Sequence, residues 1–245
     1  MAADNRLFAI TASGGIYAFG ARPDWPAKVR PTTQGGQDRQ PDEAAAKKAR
    51  QLLQNVRVKA GYCLALGQVD PELIEQLIGQ SQLRVVLIDP DQSRVAAMRR
   101  RMDELGLYGQ RVAALAGDPA GLSLPPYFAS LTVIEHPPAD ERQLTALLAK
   151  AYQSARPYGG KVWLPLSGAR AQAVDAMVQS GALAGAELAF VGGAAVLSRP
   201  GPLAGAGSWT HMYGDCANTV CSTDELVRAP LGLLWFGSAD NANVL

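Results

Sequence analysis

The sequence predicts an α/β protein: a mostly parallel seven-stranded sheet with helices on both faces, a C-terminal antiparallel hairpin, and β-rich flanks. Three observations carry this. From Asp42 onward, segments with helical spacing of apolar residues alternate with short apolar runs. Such alternation implies parallel strands joined by crossover helices that cover both faces. Two β-rich runs near the end, "ELAF" and "AVLSR", flank Val191, Gly192 and Gly193, which reads as an antiparallel hairpin. Composition also shifts on both sides of this block, dividing the chain into residues 1–40, 41–200 and 201–245.

The elements follow in order. Arg6 to Gly20, "RLFAITASGGIYAFG", reads as a hairpin turning at Ser13, Gly14 and Gly15. A lone hairpin is barely stable in water, so it needs a sheet to join. "ARPDWPAKVRPTTQGGQDRQP" is rich in Pro, Gly and Gln and reads as a linker. "DEAAAKKARQLLQNV", "PELIEQLIG", "DQSRVAAMRRRMDELG", "DERQLTALLAKAYQSA" and "ARAQAVDAMVQSG" read as helices. In the third of these, Val95, Met98, Met102 and Leu105 share one face, as a core stripe does. Parallel strands are expected near 62–66, 84–88, 111–115, 129–134 and 161–166, and the closing hairpin at 187–191 and 194–199. The last segment, with "GAGSWTHMYGDCANTVCSTDELV" and "PLGLLWFG", reads as loops and strands.

Composition bounds the function. The chain has 245 residues, 48% hydrophobic and 18% charged, with net charge +1. It can bury a proper core, and it exerts no broad pull on nucleic acid or an anionic membrane. Arg99, Arg100 and Arg101 read as a solvated helix face. Three cysteines without a CxxC, and His136 and His211 far apart, give no zinc pattern, so no metal is expected. Cys63, inside an apolar strand, reads as a small core residue; Cys216 and Cys221 could pair only if their loop folds back. No run approaches a membrane span, and "MAADNRLFAI" lacks the features of a secretory signal. Localisation stays open: if the natural protein is exported, this chain is not its true beginning.

"GYCLALGQVDPELIEQLIG" carries the candidate site. An apolar strand turns at Gly67 into a helix, and ligands of open α/β sheets sit beyond such strand ends. Gly67 lets the backbone turn tightly; Asp70 suits the N-cap and Pro71 the first helical position. Asp70 and Glu72 compete with a phosphate for the positive helix end, one of them capping its N–H groups. A ligand with an amine and no phosphate fits better. Asp89 lies 22 residues after Gly67, the spacing of an acid that accepts from a ribose diol. Asp118, in "AGDPAG", could accept from an adenine amine. Each Asp alone reads better as a helix cap or turn residue; together, each after its own strand, they favour a ligand site. After the fourth strand, "IEHPPAD" sets Glu135 and His136 at the same edge. His136 could serve as a base; the plainer reading is a turn stiffened by Pro137 and Pro138.

With those pieces, residues 42–199 resemble a class I S-adenosylmethionine-dependent methyltransferase domain, a Rossmann-like fold. The corner at Gly67, Asp89, Asp118, "RPYGGKVWL" and "ELAFVGGAAVLSR" carry the resemblance. It implies S-adenosylmethionine as cofactor, its methionine part at the Gly67 and Asp70 corner, its ribose on Asp89 and its adenine on Asp118. "HPPA" is faintly similar to the Asn/Asp-Pro-Pro-aromatic motif of amino-methylating enzymes, without its amide or acid and its aromatic. Ala65 stands where the family has an acid, and Val69 and Pro71 where it has glycines; a Cβ at Val69 is expected to crowd the ligand path. The flanking "RLFAITASGGIYAFG" and "GSWTHMYGDCANTVCS" are similar to blade segments of a quinoprotein-type β-propeller of the pyrroloquinoline-quinone-like repeat class. That implies a domain inserted in a larger propeller protein, with the rest of that protein or a partner chain engaged through the flanks, and no nucleic-acid partner.

Two functions follow: a methyltransferase-like domain that binds S-adenosylmethionine, acceptor unassigned, or a catalytically silent structural or interaction module. Ala65, Val69 and Pro71 favour silence; Asp89 and Asp118 favour binding. A nicotinamide oxidoreductase is disfavoured by the acidic helix start and the final hairpin. Residues 6–20 and parts of 205–237 should lie outside the α/β core, so deleting both flanks should leave the melting temperature of residues 42–199 nearly unchanged. A fall of about ten degrees, equivalent to several kcal/mol for a domain of this size, would place them in the core.

Overall fold

The pairing of Leu7 with Phe19 illustrates what the first segment lacks. In the computed structural model, which describes residues 2–3, 6–10, 16–20 and 42–227, β1 (Ala2–Ala3), β2 (Arg6–Ile10) and β3 (Ile16–Gly20) form an antiparallel sheet in that order. Leu7 and Phe19 face each other across β2 and β3 yet keep 55% and 57% of their surface exposed. The expected hairpin exists, and this cross-strand pair is not buried. Its turn at Ser13–Gly15, the linker from 21 to 41 and the "PLGLLWFG" stretch lie outside the described residues. Met1–Gln34 and Gly35–Leu245 form separate units.

The second unit alternates as its sequence does. It runs α1 (Glu43–Val56), β4 (Ala60–Leu66), α2 (Pro71–Gly79), β5 (Gln82–Asp89), α3 (Gln92–Glu104), β6 (Val112–Ala116), β7 (Ala129–Val133), α4 (Glu141–Ser154), β8 (Gly160–Pro165), α5 (Gly168–Gln179), β9 (Glu187–Val191) and β10 (Ala194–Arg199). The seven strands lie in the order β6-β5-β4-β7-β8-β10-β9. Five are parallel, and β10 runs antiparallel to both β8 and β9. Each strand falls within two residues of its expected bounds. Strand order reverses between β4 and β7, because the chain steps outward to β5 and β6 and then returns to the other side of β4. That reversal opens a crevice at the carboxyl ends of these two strands.

Burial on both faces explains the uninterrupted apolar runs. In β4, Cys63 and Ala65 join one core layer with α1, α2 and α3, through Leu52, Leu73, Leu77, Val95, Met98 and Met102. Leu64 and Leu66 join the other layer, with Leu144, Leu147 and Leu148 of α4 and Val174 of α5. Burying each Leu or Ile contributes about 1.5–3 kcal/mol. A single substitution such as Ile74→Ala, at a position with 0% exposure, would therefore open a costly cavity. At the start of β4, Gly61 has φ +104 and approaches β7 so closely that an added Cβ would lie 2.2 Å from Ser130 Oγ. The β4–β7 register shifts just beyond it, between Tyr62 and Cys63.

Three expectations need correction. The arginine run is not a solvated face throughout. Arg99 donates from Nε and Nη2 to the Ala114 carbonyl at 2.9 and 2.8 Å, and Arg101 joins Glu72 at 2.6 Å and also pairs with Glu75. These bonds tie α3 to β6 and α2. The segment after β10 forms turns rather than strands: among residues 200–227 only an isolated bridge between His211 and Gly214 is present. Asp215 and Asp224 organise it locally, each accepting several nearby N–H groups. A propeller blade is a four-stranded sheet, and the described flanking residues form none. Finally, Val69 turns inward, as set out below.

Cys63 is fully buried, and burial pushes its thiol up to about 12. Cys216 and Cys221 are exposed and unpaired. A thiol reagent at pH 8 should therefore titrate two groups quickly in the folded protein, and the third only after denaturant is added. Three fast thiols would contradict the burial of β4.

Candidate functional site

The crevice collects two groups of residues. The first lies along the ends of β4, β5 and β6. Gly67 turns the chain out of β4 with φ +79, and its N–H donates to the Ile88 carbonyl at 2.8 Å. One residue on, Asp89 ends β5, and its own carbonyl accepts the Gly117 N–H at 3.0 Å. Asp118 follows at once. The backbone thus strings Gly67, Asp89 and Asp118 along one edge, as the sequence spacing expected. Nothing lies within 4 Å of a Cβ added at Gly67, so space beside the turn is open. Val69 is 6% exposed and belongs to the core layer around α1, α2 and α3. The left-handed turn at Gly67 sends this side chain into the core, and the expected crowding of the ligand path does not occur.

Asp89 is already engaged. Its carboxylate is nearly inaccessible, with 1% residue exposure. Arg94, three residues into α3, donates from Nε to Oδ2 at 2.8 Å and from Nη2 to Oδ1 at 2.7 Å. The Asp91 N–H adds a third bond to Oδ1 at 2.8 Å. This is the fork geometry that makes Arg–carboxylate pairs strong and directional. A cation is unfavourable in the first turn of a helix; Arg94 is held there by Asp89 and by Asp91, whose Oδ2 sits 3.0 Å from Nη1. The hydrogen bonds that Arg94 donates to Asp89 raise the Arg94 pKa above its ordinary value. Asp91 caps α3 by accepting from Arg94 and Ser93 N–H, which holds its carboxyl below the usual range. Asp118 is exposed and makes a local turn, accepting the Ala120 N–H at 3.1 Å.

The second group lies between β4 and β7. Asp70 occupies the N-cap of α2, as expected, but its side chain makes no capping bond. The Asp70 N–H donates instead to Glu135 Oε2 at 2.7 Å. Glu135, just past β7, is 3% exposed, and its other oxygen pairs with Lys48 of α1. One buried carboxylate therefore joins α1, the start of α2 and the end of β7. Glu72 accepts its own backbone N–H in the first turn of α2 and pairs with Arg101. Burial works against its charge, but the hydrogen bond from Arg101, its own backbone N–H and the Arg101 charge outweigh this and lower its pKa. His136 is half-exposed, with Nε2 3.9 Å from Asp70 Oδ1. The turn beyond it is fixed by Arg170 of α5, which donates to the Pro138 carbonyl and, at 3.4 Å, to that of Pro137.

Asp70, Glu135 and His136 bring ligand-type atoms within 4.8 Å of one another. Glu135 spends both oxygens on Lys48 and Asp70, and the Lys48 ammonium already supplies the cation, so this group is not a metal site in the present arrangement. Lys48 and Arg94 are the two side chains that sequence reasoning missed. Arg94 left a signal, a lone cation in a helix's first turn five residues after the candidate ribose acid. Lys48 left none, since it reaches a partner 87 residues away.

No protein-family model matches the sequence, and no curated protein matches it. Solved structures do. The glycopeptide N-methyltransferase MtfA complexed with sinefungin is 17% identical, with TM-score 0.50, over 64% of this chain and 94% of that one. The S-adenosylmethionine-dependent methyltransferase SibL in its apo form is also 17% identical, with TM-score 0.50, over 65% of this chain and 56% of that one. The likeness establishes the fold: the α/β block has the Rossmann-like architecture of class I methyltransferases, as the resemblance in sequence implied.

The Lys48–Glu135 tie sets an expectation for stability. Lys48→Met leaves a buried carboxylate with one partner and should cost about 1–3 kcal/mol, less than breaking a fully buried pair, because Lys48 is 42% exposed. Glu135→Gln, which keeps an acceptor for the Asp70 N–H, should cost less than Glu135→Ala. Equal loss in both, measured by denaturant unfolding, would show that the Asp70 bond contributes nothing.

Proposed function

We propose that residues 42–199 form a methyltransferase-type domain whose S-adenosylmethionine corner is closed by the protein's own side chains, and that the domain serves as a silent structural or interaction module. The engagement of Asp89 carries this reading. A carboxylate offers about four acceptor sites, and Asp89 uses three on Arg94 and the Asp91 N–H. What remains cannot take both hydroxyls of a ribose. The positive end of α2 is likewise filled, by Glu135 on the Asp70 N–H. With Glu135 paired to Lys48, His136 is the one group of the expected catalytic pair left free for a base's role. The propeller context rests on the flanking sequences alone, and either a larger propeller protein or a separate chain would be the partner such a module serves.

A second reading has its own support. The inward turn of Val69 and the open space beside Gly67 leave the corner unfilled. In that reading the domain binds S-adenosylmethionine once Arg94 swings off Asp89, with the adenine amine on Asp118 and an acceptor near His136.

Calorimetric titration with S-adenosylhomocysteine separates the two. The expected result is no saturable binding by the wild-type chain up to about millimolar ligand, where binding free energy is about 4 kcal/mol, and measurable binding by Arg94→Ala. Micromolar binding by the wild type that is lost in Asp89→Ala would refute the silent module and establish the second reading.

A further inference from the structure

At the amino-terminal ends of the strands, opposite the corner, two clefts share the connection between α1 and β4. One, of about 820 Å³, is lined by Arg57, Lys59, Arg156, Tyr158 and Lys161 among others. The second, of about 870 Å³, shares Arg57 and Lys59 and adds Arg50. Among the described residues, no carboxylate lines either cleft. The chain has 23 basic and 22 acidic residues, so a five-to-none segregation in one place calls for a cause.

The ordinary cause would be the helix dipole. The carboxyl ends of α1, α2 and α4 gather at this edge, and cations there are favourable. That role is filled by other residues. Arg111 donates from Nη2 to the Ile78 and Ser81 carbonyls, at 3.3 and 3.0 Å, and so closes the end of α2. Arg199 donates to the Tyr152 and Ala155 carbonyls at 2.9 and 3.1 Å, with its guanidinium 4.0 Å from the Tyr152 ring centre, and so closes the end of α4. The end of α1 is closed by the Arg57 backbone N–H on the Leu53 carbonyl. The side chains of Arg57, Lys59 and Arg156, by contrast, make no hydrogen bond or ion pair among the described residues. Arg57 and Tyr158 are also held at φ 56, a left-handed conformation that disfavours side chains with a Cβ. The neighbouring Gly159 and Gly61 have φ +110 and +104. The edge thus presents unpaired cations on a fixed, costly backbone, beside an aromatic ring with 71% exposure.

We propose that this edge is a binding site for a phosphorylated small molecule. Guanidinium forks at Arg57 and Arg156 match phosphate oxygens in pairs, and the ammonium groups of Lys59 and Lys161 supply point charge. The clefts have the size of ligand pockets. Lys161 is already oriented, donating to Ser198 Oγ at 2.6 Å. Net charge of +1 gives the whole chain no general affinity for anions, so recognition here is local. The site is independent of the cofactor corner.

The test titrates the full chain with inorganic phosphate, pyrophosphate and tripolyphosphate, followed by amide chemical shifts at two salt concentrations. Affinity should rise along that series, with shifts confined to residues 54–61 and 156–161. Arg57→Asn, which tolerates the left-handed backbone, and Arg156→Gln should each weaken tripolyphosphate binding by about tenfold. Arg100→Gln, the same charge change on the exposed face of α3, should leave it unchanged, and all three variants should melt as the wild type does. Equal weakening in Arg100→Gln, or no saturation at millimolar tripolyphosphate, would overturn the proposal. Tighter binding of a single-stranded oligonucleotide than of tripolyphosphate at the same salt would overturn the small-molecule assignment in favour of nucleic acid.

Discussion

Glu135 is buried, charged and placed where the sheet changes direction, and much of the crevice follows from satisfying it. A carboxylate in that position must be paired and hydrogen-bonded or it destabilises the fold. Lys48 supplies the charge and Asp70 the N–H. The consequence for α2 is that its positive end meets an anion from β7 in place of its own N-cap side chain. Asp70 is thereby released toward His136. One carboxylate thus fixes α1 against the end of β7, orients the start of α2 and determines which groups remain free in the crevice.

The two edges of the sheet treat charge in opposite ways. At the carboxyl edge, acids are matched by cations from neighbouring helices: Asp89 with Arg94, Glu135 with Lys48, Glu72 and Glu75 with Arg101. At the amino edge, Arg111 and Arg199 close helix ends while Arg57, Lys59 and Arg156 face solvent unpaired. The apolar layers between the edges are continuous and impose neither arrangement. At the carboxyl edge those four acids are paired within the fold, while at the amino edge the three cations are not.

Much of the fold was legible because burial on two faces writes itself as uninterrupted apolar runs. "YCLAL" and "RVVLI" could hardly be anything but central strands once helical spacing flanked them. The Gly192-Gly193 turn gave the final hairpin. The positions of Gly67, Asp89, Asp118, Glu135 and His136 along the carboxyl edge followed from the same alternation. Their partners did not. Which way Val69 points depends on the sign of φ at Gly67, which composition does not encode. Lys48 and Glu135 are separated in sequence by four strands, and the arginine run looked solvated because its acceptors, the Ala114 carbonyl and two glutamates of α2, come from distant elements. The segment after β10 read as loops and strands; over residues 200–227 its Asp215 and Asp224 side chains fold the backbone into turns.

Arg94 is tethered to the acid it covers by five residues of chain. A tethered group behaves as a ligand at high effective concentration, in the millimolar range or above for short connections. Any diol reaching Asp89 competes with an occupant that never diffuses away. Its apparent affinity equals the intrinsic one multiplied by the fraction of time the fork stands open; a fork open about one part in a hundred weakens binding about a hundredfold. Side-chain rotation of a partly exposed arginine takes picoseconds to nanoseconds. The penalty therefore falls on the equilibrium, in proportion to the fraction of time the Arg94 fork holds Asp89.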